Sequence, residues 1–233
     1  MEYQNVFKRY ELKYLITKKQ KEKMLFVMEP YMKADKFGRS TICNIYYDTP
    51  DYALIKRSLE GPVYKEKLRL RSYGRAQKDG PVFIEIKKKY KGIVYKRRIA
   101  ALEEEATAYL NKDIPLAHPC QISEELDYFK EFYKTLRPSM VISYEREAFC
   151  GKEDENFRMT FDENILWRDE DLSLCDEIGG TSILEPDRVL LEVKVSDAMP
   201  LWLAEFLSAE KIFKTSFSKY GSAYLQKQKG KTA

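Results

Sequence analysis

KLRLRSYG, residues 67–74, decides the fold. Within it Lys67, Arg69 and Arg71 alternate with Leu68 and Leu70, the period of two that puts successive side chains on opposite faces of a β-strand. A single strand of this kind says little, because any half-exposed antiparallel strand reads apolar on one face and charged on the other. The pattern recurs, however. Glu85 and Lys87 oppose Ile84 and Ile86; Lys96 and Arg98 share a side; Arg146 follows Tyr144 on one face. Arg158, Thr160 and Asp162 face away from Met159 and Phe161, Glu192 and Lys194 from Leu191, Val193 and Val195, and Glu11 and Lys13 alternate with Leu12 and Tyr14.

Helices supply the reason to turn these charged faces inward. Thr17 with Gln20 forms a capping box opening a helix whose apolar stripe is Met24, Leu25, Met28 and Tyr31. Further helices are predicted at 102–111, from about Ser123, from about Pro200 and near 216–227. Their stripes need a sheet face to cover. If they coat the apolar face, the charged face lines the interior when the sheet closes. Strands in hairpin order with inserted helices give an α+β chain: an antiparallel eight-stranded β-barrel with helices packed on its outer face. No linker composition is visible, so residues 1–227 are expected as one domain, with 228–233 as a flexible tail.

On the inward faces, ten cations (Lys13, Lys67, Arg69, Arg71, Lys87, Lys96, Arg98, Arg146, Arg158, Lys194) meet four carboxylates (Glu11, Glu85, Asp162, Glu192). Two like charges about 8 Å apart at an effective dielectric of about 20 repel by roughly 2 kcal/mol. So large an excess would overwhelm a typical domain stability of about 5–15 kcal/mol if it were held dry. The lumen must therefore be wet and filled with counter-anions. Residues two apart on a strand lie about 7 Å apart, so Arg69 and Arg71 form a ladder suited to successive phosphates of one chain.

Composition agrees. The chain has 233 residues and a formal charge of +4, but residues 1–100 carry 25 Lys and Arg against 11 Asp and Glu, and the rest carry 16 against 26. A basic half of this kind points to a polyanionic ligand. One histidine, His118, excludes chemistry built on histidine pairs. Four scattered cysteines without a CxxC pair point to reduced thiols rather than disulfides or zinc. No apolar run has the length of a membrane span and no signal-peptide core appears, so a cytoplasmic protein is expected. Asp48, in YYDTP (46–50), is expected to cap the turn or helix that follows. The aromatics are placed mainly on helices and apolar strand faces, away from the basic ladder, so nucleic acid is not expected as a partner.

Taken together, RYELKY (9–14), YYDTP (46–50), KLRLRSYG (67–74), FIEIK (83–87), VYKRR (94–98), SYEREAF (143–149), RMTFD (158–162), LEVK (191–194) and FSKYG (217–221) resemble the VTC (vacuolar transporter chaperone) catalytic domain. That family is the polyphosphate polymerase branch of the triphosphate tunnel metalloenzymes. The resemblance implies an eight-stranded tunnel that takes the terminal phosphate of ATP and extends polyphosphate. It implies that Lys13, Arg69, Arg71, Lys87, Arg146, Arg158 and Lys219 act on the phosphate path. Glu11, Lys96, Arg98, Lys194 and Ser218 would bind around it, and Glu192 would hold Mn²⁺ or Mg²⁺. Hydrolytic CYTH-type relatives begin with ExExK; here Arg9 stands in the first Glu position. Fewer carboxylates and more cations favour retaining a growing chain, and so the polymerase, over a tripolyphosphate or nucleoside triphosphate hydrolase; a non-catalytic polyphosphate-binding domain is the other alternative, which Glu192→Gln discriminates. Fewer carboxylates also weigh against a two-metal mechanism. A stand-alone catalytic domain, without the membrane helices and sensing domain of eukaryotic relatives, is expected, and a separate membrane-bound partner is left open.

Overall fold

The computed structural model describes residues 10–91 and 93–231. The chain starts with β1 (Tyr10–Thr17), α1 (Lys18–Met28), β2 (Met32–Asp48), α2 (Ala53–Leu59) and β3 (Tyr64–Tyr73). It continues through β4 (Pro81–Tyr90), β5 (Ile93–Leu102), α3 (Glu103–Lys112), α4 (Gln121–Tyr133), β6 (Arg137–Gly151) and β7 (Arg158–Arg168). The last elements are β8 (Thr181–Ser182), β9 (Arg188–Val195), α5 (Leu201–Ala209) and α6 (Lys219–Lys231). The predicted capping box is present: Gln20 N donates to Thr17 Oγ1 at 3.1 Å and Thr17 N to Gln20 Oε1 at 3.0 Å.

All pairings are antiparallel, in the order β1-β9-β7-β6-β2-β3-β4-β5, with β8 added to β7. Leu68, Leu70, Ile84 and Ile86 face outward and pack with Ala106, Tyr109 and Leu110 of α3 and with Leu126 and Phe129 of α4. Leu191, Val193, Val195, Met159 and Phe161 pack likewise with Met24 and Met28 of α1 and with Leu203, Phe206 and Leu207 of α5. Burying a Leu- or Phe-sized side chain contributes about 1.5–3 kcal/mol, and these two layers fix which sheet face is left for the charges.

Two expectations need correction. The sheet is not closed by hydrogen bonds: β1 and β5 are its edges, and no pairing joins them among the described residues. Side chains span the gap instead, Lys87 Nζ of β4 donating to Glu11 Oε2 of β1 at 3.0 Å. A backbone seam would set Lys96, on the inward face of the β5 edge, at strand spacing from β1 and its Lys13, with Lys87 of β4 behind it and Glu11 as the β1 carboxylate nearby. Like-charge repulsion opposes that closure.

The second correction concerns α6, which does not lie outside. Its Tyr220, Ala223 and Tyr224 pack on Ile42, Tyr46, Met140, Ile142, Ile165 and Leu190, residues on the same sheet face as the cations, together with Ile55 of α2. The inward face is apolar at that end and needs a cover. The helix also runs to Lys231, so the polar stretch expected as a loose tail is helical that far.

The short helix α2 owes its position to Asp48. This fully buried carboxylate accepts from Thr49 N at 2.9 Å, Leu54 N at 2.9 Å, Ile55 N at 3.1 Å and the Tyr220 hydroxyl at 2.8 Å. It caps α2 and ties it to α6. Replacing it strands several buried donors, each costing about 1–3 kcal/mol. Asp48→Ala is expected to lose about 3 kcal/mol and to lower the melting temperature by roughly 6–12 °C. A melt within a degree of wild type would contradict this role.

Candidate functional site: a cation-lined tunnel

The inward face carries two charge clusters on facing walls. The first surrounds Glu85 of β4, which is 1% exposed. Arg69 reaches it at 2.7 Å, Lys96 at 2.7 Å, Arg98 at 2.5 Å and Arg71 at 3.7 Å. The register explains the convergence: Arg69 and Arg98 are the cross-strand partners of Glu85 on either side. Burial alone would raise the Glu85 carboxyl, but the four cations outweigh it and hold it far below the ordinary carboxylate range. One carboxylate against four cations leaves this wall strongly positive.

The second cluster pairs Asp162 of β7 with Glu192 of β9. Arg146 of β6 makes a two-pronged contact with Asp162, 2.6 Å on each arm, and reaches Glu192 at 3.2 Å. Lys219, at the first turn of α6, bonds Asp162 at 2.5 Å and Glu192 at 3.2 Å. Lys13 of β1 contacts Glu192 and Glu11, each at 3.4 Å, and donates to the Phe217 carbonyl at 3.0 Å. For Glu192, burial pushes upward, but Lys219, Lys13 and Arg146 prevail and keep it well below its usual value. Burial opposes charge on Lys219 as well, yet Asp162 and Glu192 raise it.

Other cations lack such compensation. Lys67 sits half-buried with its ammonium on Ser218 Oγ at 2.8 Å. Burial, then Lys13, Lys87, Lys65 and Arg69, push its pKa down to about 7. Lys194 makes no hydrogen bond or ion pair among the described residues; burial and Arg146 push it down to about 8 against the pull of Glu192 and Glu11. The site therefore holds amines that a bound anion is expected to protonate more fully. Between the depressed values and the ordinary lysine range near 10.4, binding of a phosphate chain is expected to take up protons. Tripolyphosphate binding at pH 8 is expected to take up about one to two protons, and affinity to fall as pH rises from 7 to 9. Calorimetry in buffers of different ionisation enthalpy measures this, and zero uptake would contradict it.

The structure brings together Glu11, Lys13, Arg69, Arg71, Lys87, Lys96, Arg98, Arg146, Glu192, Lys194, Ser218 and Lys219. Arg158 shares the face by register, opposite Lys194, but it is exposed at the rim with no hydrogen bond or ion pair among the described residues. Ser218 also caps α6, accepting from Gly221 N at 3.1 Å. Arg9 lies outside the described residues.

Glu85, Asp162 and Lys67, which alternation placed on the inward face without an individual role, belong to the site, and Asn44, Tyr46 and Tyr144 join them. The first three show the same alternation as their neighbours. Asn44 accepts from Arg71 at 3.0 Å, Tyr46 from Arg69 at 3.2 Å, and Tyr144 lies beneath both Arg146 and Lys219, at 5.2 and 4.4 Å from the ring centre. Aromatics thus do interleave with the basic ladder, contrary to the sequence expectation. Cross-strand register, which sequence does not display, puts Asn44 and Tyr46 there, whereas Tyr144 shares the face of Arg146 by local alternation.

The VTC domain model matches residues 8–227. This chain belongs to the VTC domain family. Solved structures agree on the fold. A provisionally assigned adenylate cyclase from Bacillus halodurans is 13% identical, with a TM-score of 0.56 over 91% of this VTC domain and 96% of that chain. HpAC1 from Hippeastrum, a provisionally assigned adenylyl cyclase with a dominant triphosphatase activity, is 14% identical, with a TM-score of 0.55 over 91% and 93%. No curated protein matches the chain. In the VTC domain, no helix among the described residues is long and apolar enough to cross a membrane.

Among the described residues no three of His, Cys, Asp and Glu are grouped as a ready-made metal cage. The donor set does suit a Mg²⁺-like ion, which is commonly held by one or two carboxylates and completed by substrate phosphates. Glu192 and Glu11, both in contact with the Lys13 ammonium, are the carboxylates available for that mode.

Proposed function

We propose that this VTC domain is a phosphotransferase of the polyphosphate polymerase type, moving the terminal phosphate of ATP onto a growing polyphosphate chain. The observation that carries this reading is the inward excess of cations over carboxylates, which leaves Lys67 and Lys194 without a carboxylate partner. A linear polyanion satisfies them all at once. In phosphoryl transfer the protein's task is positioning and charge neutralisation, and no covalent nucleophile is obligatory. Arg69, Arg71, Lys96 and Arg98 on one wall, and Lys13, Arg146 and Lys219 on the other, hold donor and acceptor phosphates in line. Lys87 and Lys194 add charge along the path, and Arg158 guides the chain at the rim. Glu192, with Glu11, would hold Mn²⁺ or Mg²⁺, whose contribution is to neutralise charge on the reacting phosphates.

Retention favours polymerisation over hydrolysis: a tunnel this positive releases a polyanion slowly, giving it time to accept another phosphate. The test incubates purified protein with ATP and Mn²⁺ or Mg²⁺, resolves phosphate chains on a gel and counts free phosphate. Long chains that vanish in Glu192→Gln are the expected result. Free phosphate alone would transfer the assignment to a triphosphatase. Binding without turnover would leave a polyphosphate-binding domain.

A further inference from the structure

Beyond the phosphate path the tunnel wall continues as an aromatic surface that phosphate chemistry does not use. Tyr73 follows Arg71 by two residues on the same face of β3, about 7 Å further along the strand, and is 52% exposed. Phe37, 67% exposed, projects from the irregular stretch of β2 between Ala34 and Arg39, where Gly38 takes a φ of +58°. The Phe37 and Tyr73 rings lie within 14° of parallel, their centres 6.5 Å apart. Phe83 meets Tyr73 edge-on at 5.7 Å. Arg98, a member of the Glu85 cluster, lies over Phe83 at 4.2 Å and donates to the Tyr73 hydroxyl at 3.1 Å. Lys36 covers part of Phe37, at 5.0 Å from its ring centre.

We infer that Phe37 and Tyr73 form the stacking platform for the nucleobase of the triphosphate donor, with Arg98 joining it to the phosphate-binding wall. The inference rests on the ATP-consuming reading above and adds the part of the substrate that reading leaves unplaced. Three features support it. Two neighbouring exposed aromatic rings offer flat apolar faces on which a base can stack. They begin within one strand repeat of the arginine ladder, so a base stacked on them leaves its phosphates among Arg71, Arg69 and Arg98. Finally, Arg98 touches both Glu85 and Tyr73, and this fixes the ring beside the charge cluster.

Stacking on an aromatic face tolerates any base, because every base presents a π-face. Purine triphosphates are therefore expected to bind similarly, and all of them more tightly than tripolyphosphate of equal charge.

The experiment titrates wild type, Phe37→Ala and Phe37→Trp with a non-hydrolysable ATP analogue and, separately, with inorganic tripolyphosphate. Phe37 is exposed, so its truncation leaves the core intact. In Phe37→Ala the analogue is expected to lose roughly 5- to 100-fold in affinity, tripolyphosphate to stay within twofold, and Phe37→Trp to recover wild-type binding of the analogue. An equal loss for both ligands, or no loss for either, would overturn the platform while leaving the tunnel in place. Failure of wild type to bind either ligand would overturn the tunnel reading and this inference with it.

Discussion

Arg69→Ala combined with Arg71→Ala is expected to remove anion binding and, on the proposed function, turnover together. Arg69 and Arg71 stand on the inward face of β3, where they touch Glu85, Tyr46, Asn44 and Tyr144. Each hydrogen bond to a charged phosphate contributes about 1.5–3 kcal/mol, so losing two guanidinium groups costs roughly 10²–10⁴-fold in affinity for a phosphate chain. On the proposed function, turnover is expected to fall at least as far, since the same groups would neutralise charge that grows in the transition state. Arg69→Lys with Arg71→Lys keeps the charge but loses the planar fork, so it recovers only part of the binding. Double-alanine protein that folds and binds tripolyphosphate within threefold of wild type would place the phosphate path elsewhere.

The second large effect is on stability. Glu85→Gln leaves Arg69, Arg71, Lys96 and Arg98 facing one another without their shared carboxylate. Breaking a buried ion network from one side costs about 3–5 kcal/mol, or roughly 6–20 °C of melting temperature in a chain of this size. Tripolyphosphate supplies the missing negative charge. Its stabilising shift is therefore expected to be larger in Glu85→Gln than in wild type, although misplaced arginines lower turnover. The linkage has a definite sign. Because the folded-state pKa of Glu85 is depressed, its contribution is present above the ordinary carboxylate range and is lost as pH falls below it. Equal melting temperatures for mutant and wild type, with and without ligand, would contradict this account of the wall.

Much of the site was legible because strand alternation is a local signal. Lys67, Arg69 and Arg71 had to share a face once 67–71 was a strand, and the helix stripes then indicated which face turned inward. The capping box at Thr17 and the capping role of Asp48 were local in the same sense. What sequence could not show was pairing between distant segments. Asp162 meets Glu192 only because β7 lies beside β9, across the insertion carrying β8. Tyr46 meets Arg69 only through the β2–β3 register. Nor could an apolar stripe say which side of the sheet it would cover: Tyr220 and Tyr224 look like any amphipathic pair, yet they fill the concave side. The open seam has a similar origin, since it depends on the summed repulsion of charges brought together by the whole sheet.

The central claim is that this face binds a chain of phosphates rather than single anions. Calorimetric titration of wild-type protein with tripolyphosphate and with orthophosphate at pH 7.5 and moderate salt tests it most directly. Tripolyphosphate is expected to bind at least about 100-fold more tightly, because it would engage both walls at once and each added charge-assisted contact contributes about 1.5–3 kcal/mol. Proton uptake is expected to accompany that binding. Equal affinity for the two ligands, with no protons taken up, would contradict the claim.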